Sequence, residues 1–307
     1  MYDPSKYKLE FISKEKAIFW LASFTLMSFL IVALNLATIL TFVSNRYLRR
    51  RSVYCLINLT IADLLYGITG AVYGFCVYGF ISMNLDMDPT FSIFVFLCIA
   101  CTFLASALSL AIVSLERVCA FFFPFRHRVI RQRVYIGVFV VSWVIAIIAT
   151  WVFKVLSNPS ALILFYFVVT LSVIIIFSSY AAIFIKLKKN SPQEFQNQTS
   201  FSQRRQIQEK KLAKTLFIAT ALSIITCMPY VAYRFSYLHM NQDTLLLTHP
   251  NVYSLMYIFQ RMNSVVNPIV YLFRMRDFRK ALFQVVFRCS CTSRVNAYPV
   301  VHRNEII

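Results

Sequence analysis

Charge is scarce in this chain. Asp, Glu, Lys and Arg make up 14% of its 307 residues, while 59% are hydrophobic. A soluble globule of this length could not cover so much apolar surface with so few charges. Glycine is scarcer still, at five residues, which excludes collagen-like and glycine-rich low-complexity chains. Disorder is excluded by the opposite measure, since disordered chains are rich in charge and poor in aromatics, and this one has 30 Phe and 17 Tyr. Eight Cys over such a length form no disulfide framework. The four His, at 127, 239, 249 and 302, are scattered over loops and the tail, so His-based metal chemistry has no support. What remains is a polytopic membrane protein.

A bilayer core about 30 Å thick needs ~20 mostly apolar residues per helix. Seven such stretches occur, at 17–44, 53–81, 90–122, 134–154, 160–186, 211–237 and 248–273. None alternates as a membrane barrel strand does, so the fold class expected is an all-α seven-helix bundle. The first stretch is read as a retained signal anchor behind a polar lead, 1–16. Basic residues then set the topology. Arg46, Arg49, Arg50 and Arg51 follow the first span, and Arg126, Arg128, Arg131 and Arg133 follow the third. With Arg117 at the foot of span three, the 186–214 connection and the tail, 24 of the 31 Lys and Arg fall on one side. An extracellular N-terminus and a cytoplasmic C-terminus are therefore expected at the plasma membrane. The net charge of +19 reflects that topology and an anionic inner leaflet, not nucleic acid. Residues 190–208 read as a polar loop, and no internal repeat of the kind that builds transporters is evident.

Ionised groups are costly at mid-membrane, by at least ~2.5 kcal/mol, so each one there invites a functional reading. Asp63 lies midway along span two, with Asn35 in span one, Ser106 in span three, and Asn263, Ser264 and Asn267 in span seven. Converging, they would hold a small monovalent cation; alternatively Asp63 is protonated, or hydrogen-bonds to Asn35 and Asn267. Glu116 and Arg117 end span three, and Glu209 begins span six. Together they could form a latch that breaks when span six swings out; an Arg that snorkels to the interface and pairs with its neighbour is the plainer reading. Pro229 and Pro268 permit kinks in spans six and seven. A lone buried acid also suits an ion channel or carrier that uses Asp63 as its transport site. An enzyme is not expected, because Asp63 has no partner acid with which to form a dyad.

These residues in this order resemble the rhodopsin-like (class A) family of G-protein-coupled receptors. The marks are Asn35, Leu59 with Asp63, Glu116-Arg117-Val118, Trp143, Tyr180, Pro229, and Asn267-Pro268-Ile269-Val270-Tyr271, one set per span. The resemblance covers about 17–288 and implies a seven-helix domain at 17–273, an amphipathic helix at 274–288 and a cytoplasmic tail at 289–307. It further implies an allosteric sodium pocket of Asp63, Ser106, Asn263 and Asn267, and no cofactor is expected. Arg117, held at rest by Glu116 and Glu209, would meet a heterotrimeric G protein, and Tyr180 and Tyr271 would swing inward to hold the open state. On the amphipathic helix, Phe278, Leu282 and Val286 would face lipid, with Cys289 and Cys291 as palmitoylation candidates. Receptor kinases and arrestin are further partners, through Ser191, Ser200, Ser202, Thr292 and Ser293. The chain also departs from the family. Ser92 stands in place of the span-three disulfide Cys and Ser172 in place of the span-five Pro, as in the melanocortin, cannabinoid and lysophospholipid branch. Thr226-Cys227-Met228-Pro229 lacks the aromatic toggle of span six.

The departures bear on the ligand. Amine receptors carry an Asp in upper span three where this chain has Ile99, and opsins a Schiff-base Lys where it has Arg261. A guanidinium cannot do that chemistry. Tyr73 and Phe96 stand where melanocortin-type receptors use acids. The pocket expected from helix geometry is aromatic and cationic: Tyr73, Phe103, Tyr230, Tyr233 and Arg234, with Tyr253, Tyr257, Gln260 and Arg261. A small or lipidic ligand with an acidic head near Arg261 or Arg234 fits it. The competing reading pairs Arg261 internally and lets Arg234 snorkel.

Overall fold

The structure, a computed structural model, describes residues 12–45, 48, 51–83, 88–156, 159–189, 217–218, 221–237 and 248–287. Among the described residues there is no strand. Hydrocarbon offers backbone groups no hydrogen bonds, so each span must satisfy its own, which an α-helix does. Span one is Lys14–Ser44, span two starts at Arg51–Gly74, span three is Pro89–Phe122, span four Gln132–Leu156 and span five Pro159–Lys189. Residues 221–236 are the described helix of span six, and span seven is Pro250–Arg274. The helix starts follow local chemistry. Ser13 Oγ accepts the Lys16 N–H at 3.4 Å, and Asp88 accepts the Thr90 N–H at 3.0 Å just ahead of Pro89.

Five of the described helices are long and apolar enough to cross a membrane. Span seven is long enough, at 25 residues, but carries Gln260, Arg261, Asn263 and Asn267 on its inner face. Large side chains elsewhere point outward, as Phe29 and Phe177 do, which is the inside-out exposure expected of helices solvated by lipid. Span two runs on through a π turn at Phe75–Gly79 to Met83. It packs between spans one and three, and span three also touches spans four and five.

Small residues set the closest approach. A β-carbon on Gly67 would stand 2.7 Å from Ile31 Cγ2 of span one, and one on Gly70 would collide with the Arg261 guanidinium of span seven. Polar ties fix the rest. Asn35 Nδ2 donates to the Ser264 carbonyl at 3.0 Å, joining spans one and seven. Asn58 donates to Ser109 at 2.8 Å and accepts from Trp143 Nε1 at 3.2 Å, joining spans two, three and four.

One expected orientation is reversed. The helix Arg276–Phe287 follows span seven, but Phe278 is 1% exposed and packs on Phe42 and Tyr271, with ring centroids 5.1 and 6.2 Å away. Its apolar face therefore closes the end of the bundle, with Ala281 buried beside it. A periodic apolar face does not itself distinguish lipid from a protein core.

Candidate functional site

Asp63 is 0% exposed. Its Oδ1 accepts Ser106 Oγ at 2.6 Å and Ser264 Oγ at 2.7 Å, and its Oδ2 accepts Asn267 Nδ2 at 3.0 Å. Spans two, three and seven are thus sewn together at one carboxylate, and three donors offset part of its desolvation. Asn35 does not reach the acid, since its amide bonds the Ile31 and Ser264 carbonyls instead. Asn263 is buried, but Ser264 takes the place on Asp63 expected of it. The Oδ1 atoms of Asn263 and Asn267 are buried without a hydrogen-bond partner. The Asp63 carboxylate, the Ser106 and Ser264 hydroxyls and the unpartnered Asn267 oxygen form an all-oxygen donor set, the chemistry of a hard cation. Among the described residues no group of three His, Cys, Asp or Glu could hold a metal.

At the far end of span three, Arg117 is buried and its Nε donates to Glu116 Oε2 at 2.6 Å. A second contact, from Nη2, makes the pair a buried salt bridge. The other carboxylate oxygen is engaged by His127 Nε2 at 2.7 Å, and His127 meets the Tyr135 hydroxyl at 3.2 Å. The short helix Pro124–Val129 folds His127 back beneath span three, and Tyr135 comes from the start of span four. Tyr180 and Tyr271 are both buried in the core of this end, Tyr180 edge-on to Phe217 with centroids 5.5 Å apart. Pro229 and Pro268 lie within continuous helix.

Toward the opposite end lies a cavity of about 50 Å³. Of the residues expected around a pocket, Phe103, Tyr230, Arg234, Tyr257 and Gln260 line it. Phe96, weighed in the sequence as a ligand position, lines it too, and so do Tyr66, Phe165 and Tyr166, which were not singled out from the sequence. Tyr73 and Tyr253 pair by their hydroxyls at 3.1 Å behind the wall, and Tyr233 packs on Tyr237. Arg261 is also behind the wall. Its guanidinium stands over the rings of Tyr66 and Phe24, 5.1 and 5.9 Å from their centroids, and Nη2 donates to Ser28 at 2.8 Å. Of the two arginines expected at the pocket, Arg234 faces the space.

A model of the family described as 7 transmembrane receptor (rhodopsin family) matches residues 34–162 and 156–271. The chain belongs to the rhodopsin family of seven-transmembrane receptors. Opsin-3 of Mus musculus is 37% identical to this receptor over 78 residues, 25% of this chain and 19% of that protein. Trace amine-associated receptor 5 of Rattus norvegicus is 32% identical over 100 residues, 31% of this chain and 27% of its own length. Trace amine-associated receptor 9 of Homo sapiens is 31% identical over 101 residues, 33% and 28% respectively. The receptor thus spans 19% to 28% of the length of these relatives. A crystal structure of squid rhodopsin superposes with a TM-score of 0.75 at 14% identity, covering 94% of this chain and 90% of that one, a likeness of fold.

The receptor is a multi-pass membrane protein and not an enzyme. Several expected features lie outside the described residues: Glu209, Cys289, Cys291, Val286 as a side chain, and the Ser and Thr proposed for kinases. The residues missed at the sites are His127, Tyr135 and the extra cavity aromatics. A signal for His127 existed in its spacing, eleven residues past Glu116 and just beyond a Pro that turns the chain.

Proposed function

We propose that this receptor sits in the plasma membrane, N-terminus outside, and passes an extracellular signal or basal activity to heterotrimeric G proteins. The observation that carries the reading is the buried Arg117, whose charge is held by Glu116 on its own helix. Breaking a buried ion pair costs about 3–5 kcal/mol, so release of Arg117 needs the helices around it to part and a new partner to receive its charge. Span six, hinged at Pro229, swings outward; Arg117 then leaves Glu116 and meets the G protein, while Tyr180 and Tyr271 turn into the space vacated. Glu209 completes the resting latch from span six. Basic loops at this end suit an anionic inner leaflet and an acidic partner face. Receptor kinases and arrestin act on the loop and tail, and Cys289 and Cys291 carry acyl chains.

Asp63, Ser106, Ser264 and Asn267 would hold a sodium ion, with Asn263 facing the same interior. A bound cation would neutralise the carboxylate and tie span seven to spans two and three, favouring the resting packing. The amines named for the trace amine-associated receptors are not carried over, because Ile99 offers no acid to an ammonium group. Arg261 likewise excludes a Schiff base. The carrier alternative, with Asp63 as a transport site, is not favoured for a member of a receptor family.

The test is ligand-free guanine-nucleotide exchange, measured with each G-protein family in vesicles. Exchange that disappears in Arg117→Ala supports coupling, and exchange indifferent to that substitution sinks it. Epitope tags found on the same side of the membrane would overturn the topology. Ion flux through proteoliposomes that depends on Asp63 would favour the carrier.

A further inference from the structure

Among the described residues, no acid lines the cavity. The buried charged residues among those described are Asp63, Glu116, Arg117, Arg234 and Arg261. Asp63 is already satisfied by three donors, and Glu116 holds Arg117 and His127 at the other end. Arg234 is 4% exposed, sits among the phenols of Tyr230, Tyr166 and Tyr253, and leaves Nη1 without a hydrogen-bond partner. Neutral phenols do not cancel a guanidinium, and an unpaired buried charge is strongly destabilising. Arg234 also lines the cavity, beside Gln260, whose Oε1 is likewise unpartnered. A second guanidinium, Arg261, stands behind Tyr66 and adds positive potential to the same wall.

We propose that this cavity binds a carboxylate on a short apolar body, with the carboxylate on Arg234. The Nη1 of Arg234 supplies one charge-assisted hydrogen bond, stronger than a neutral one. The apolar body lies against Ile99, Ala100, Phe103 and Phe165. Size limits the ligand: about 50 Å³ is room for roughly four waters at 10–15 Å³ each, which suits a few-carbon acid. Charge limits it as well, since an ammonium group would face the Arg234 guanidinium with no acid among the described residues that line the cavity. The inference names the ligand class for the receptor reading given above, and its binding arm needs no G protein.

The full-length receptor in lipid nanodiscs is tested with butyrate, butyramide and butylamine, which share a chain length and differ in head-group charge, at constant ionic strength. Acetate and hexanoate bracket the length. Butyrate is expected to raise the melting temperature saturably, with butyramide and butylamine inert. Half-saturation should weaken about tenfold or more in Arg234→Gln, less in Arg234→Lys, and by no more than about threefold in Arg261→Gln. Without ligand, Arg234→Gln should melt no lower than the wild-type protein, since it loses an unpaired charge. The proposal is overturned if butyramide or butylamine stabilises as well as butyrate, if Arg234→Gln binds within twofold of wild type, or if no acid of the series stabilises the wild-type receptor. The comparison of butyrate with butyramide on wild-type protein needs no variant to fold. Saturable butyrate binding that leaves nucleotide exchange unchanged would uphold the site and count against the coupling reading.

Discussion

His127 Nε2 lies 2.7 Å from Glu116 Oε1, while Arg117 holds Oε2 of the same carboxylate. The acid that restrains Arg117 is therefore itself positioned, by a residue from the connection that follows span three. Removing His127 takes one partner from that carboxylate and loosens the pair. A hydrogen bond to a charged group contributes about 1.5–3 kcal/mol, and 1.4 kcal/mol is tenfold in an equilibrium. His127→Ala should accordingly raise ligand-free nucleotide exchange several-fold. Tyr135→Phe, one contact further away, should raise it less. Basal exchange in His127→Ala equal to wild type would show that Glu116 needs no such support.

Asp63→Asn keeps the shape of the interior and removes its charge. Ser106 and Ser264 can still donate to the amide oxygen, so the protein should fold with a stability change within about 1–2 kcal/mol. The melting temperature of the wild-type receptor should rise when N-methylglucamine chloride is replaced by sodium chloride. That rise should vanish in Asp63→Asn. A sodium effect that survives the substitution would place the cation elsewhere.

Asn58 joins three helices through Ser109 and Trp143. Interhelical hydrogen bonds in membranes are worth about 0.6 kcal/mol on average and up to ~1.7 kcal/mol. Trp143→Phe should cost about the average, and Asn58→Ala up to about twice that, because it breaks both bonds. A double-mutant cycle of Asn58→Ala with Ser109→Ala, followed by thermal unfolding, should show a coupling of the same order.

Phe278 fills the end of the bundle between Phe42 and Tyr271. Truncating a buried Phe typically costs ~3–5 kcal/mol, and here the loss falls on one docked helix. Phe278→Ala should release the backbone amides of Arg276–Phe287 to fast hydrogen exchange while spans two and three stay protected. Unchanged protection would mean that lipid, not the bundle, holds that helix.

The helical class was legible because lipid leaves a single signal, apolar length, which five of the described helices carry. The Asp63 cluster was legible in outline, since a mid-membrane acid must find donors from whatever helices surround it. Ser264 was harder to tell from Asn263. Adjacent positions on a helix differ by about 100° of rotation, and Pro268 allows a bend that shifts which of them faces inward. His127 was hidden for a different reason, because its contact with Glu116 depends on a six-residue helix, Pro124–Val129, turning the chain back. Tyr66, Phe165 and Tyr166 were invisible as cavity residues because aromatics are spread over every span. Their use follows from packing, not from spacing. The orientation of Phe278 was open in the sequence, since an amphipathic stripe serves lipid and protein equally well.

The guanidinium of Arg261 rests in the space where a side chain at Gly70 would begin. Such a fit acts as a detent between two neighbouring rods. Span seven is free to lean about this point, but it cannot slide along span two without first withdrawing a cation from its seat between two aromatic faces. Gly70→Ala should eject that cation, weaken the assembly by about 1–3 kcal/mol, and leave span seven able to settle at more than one height.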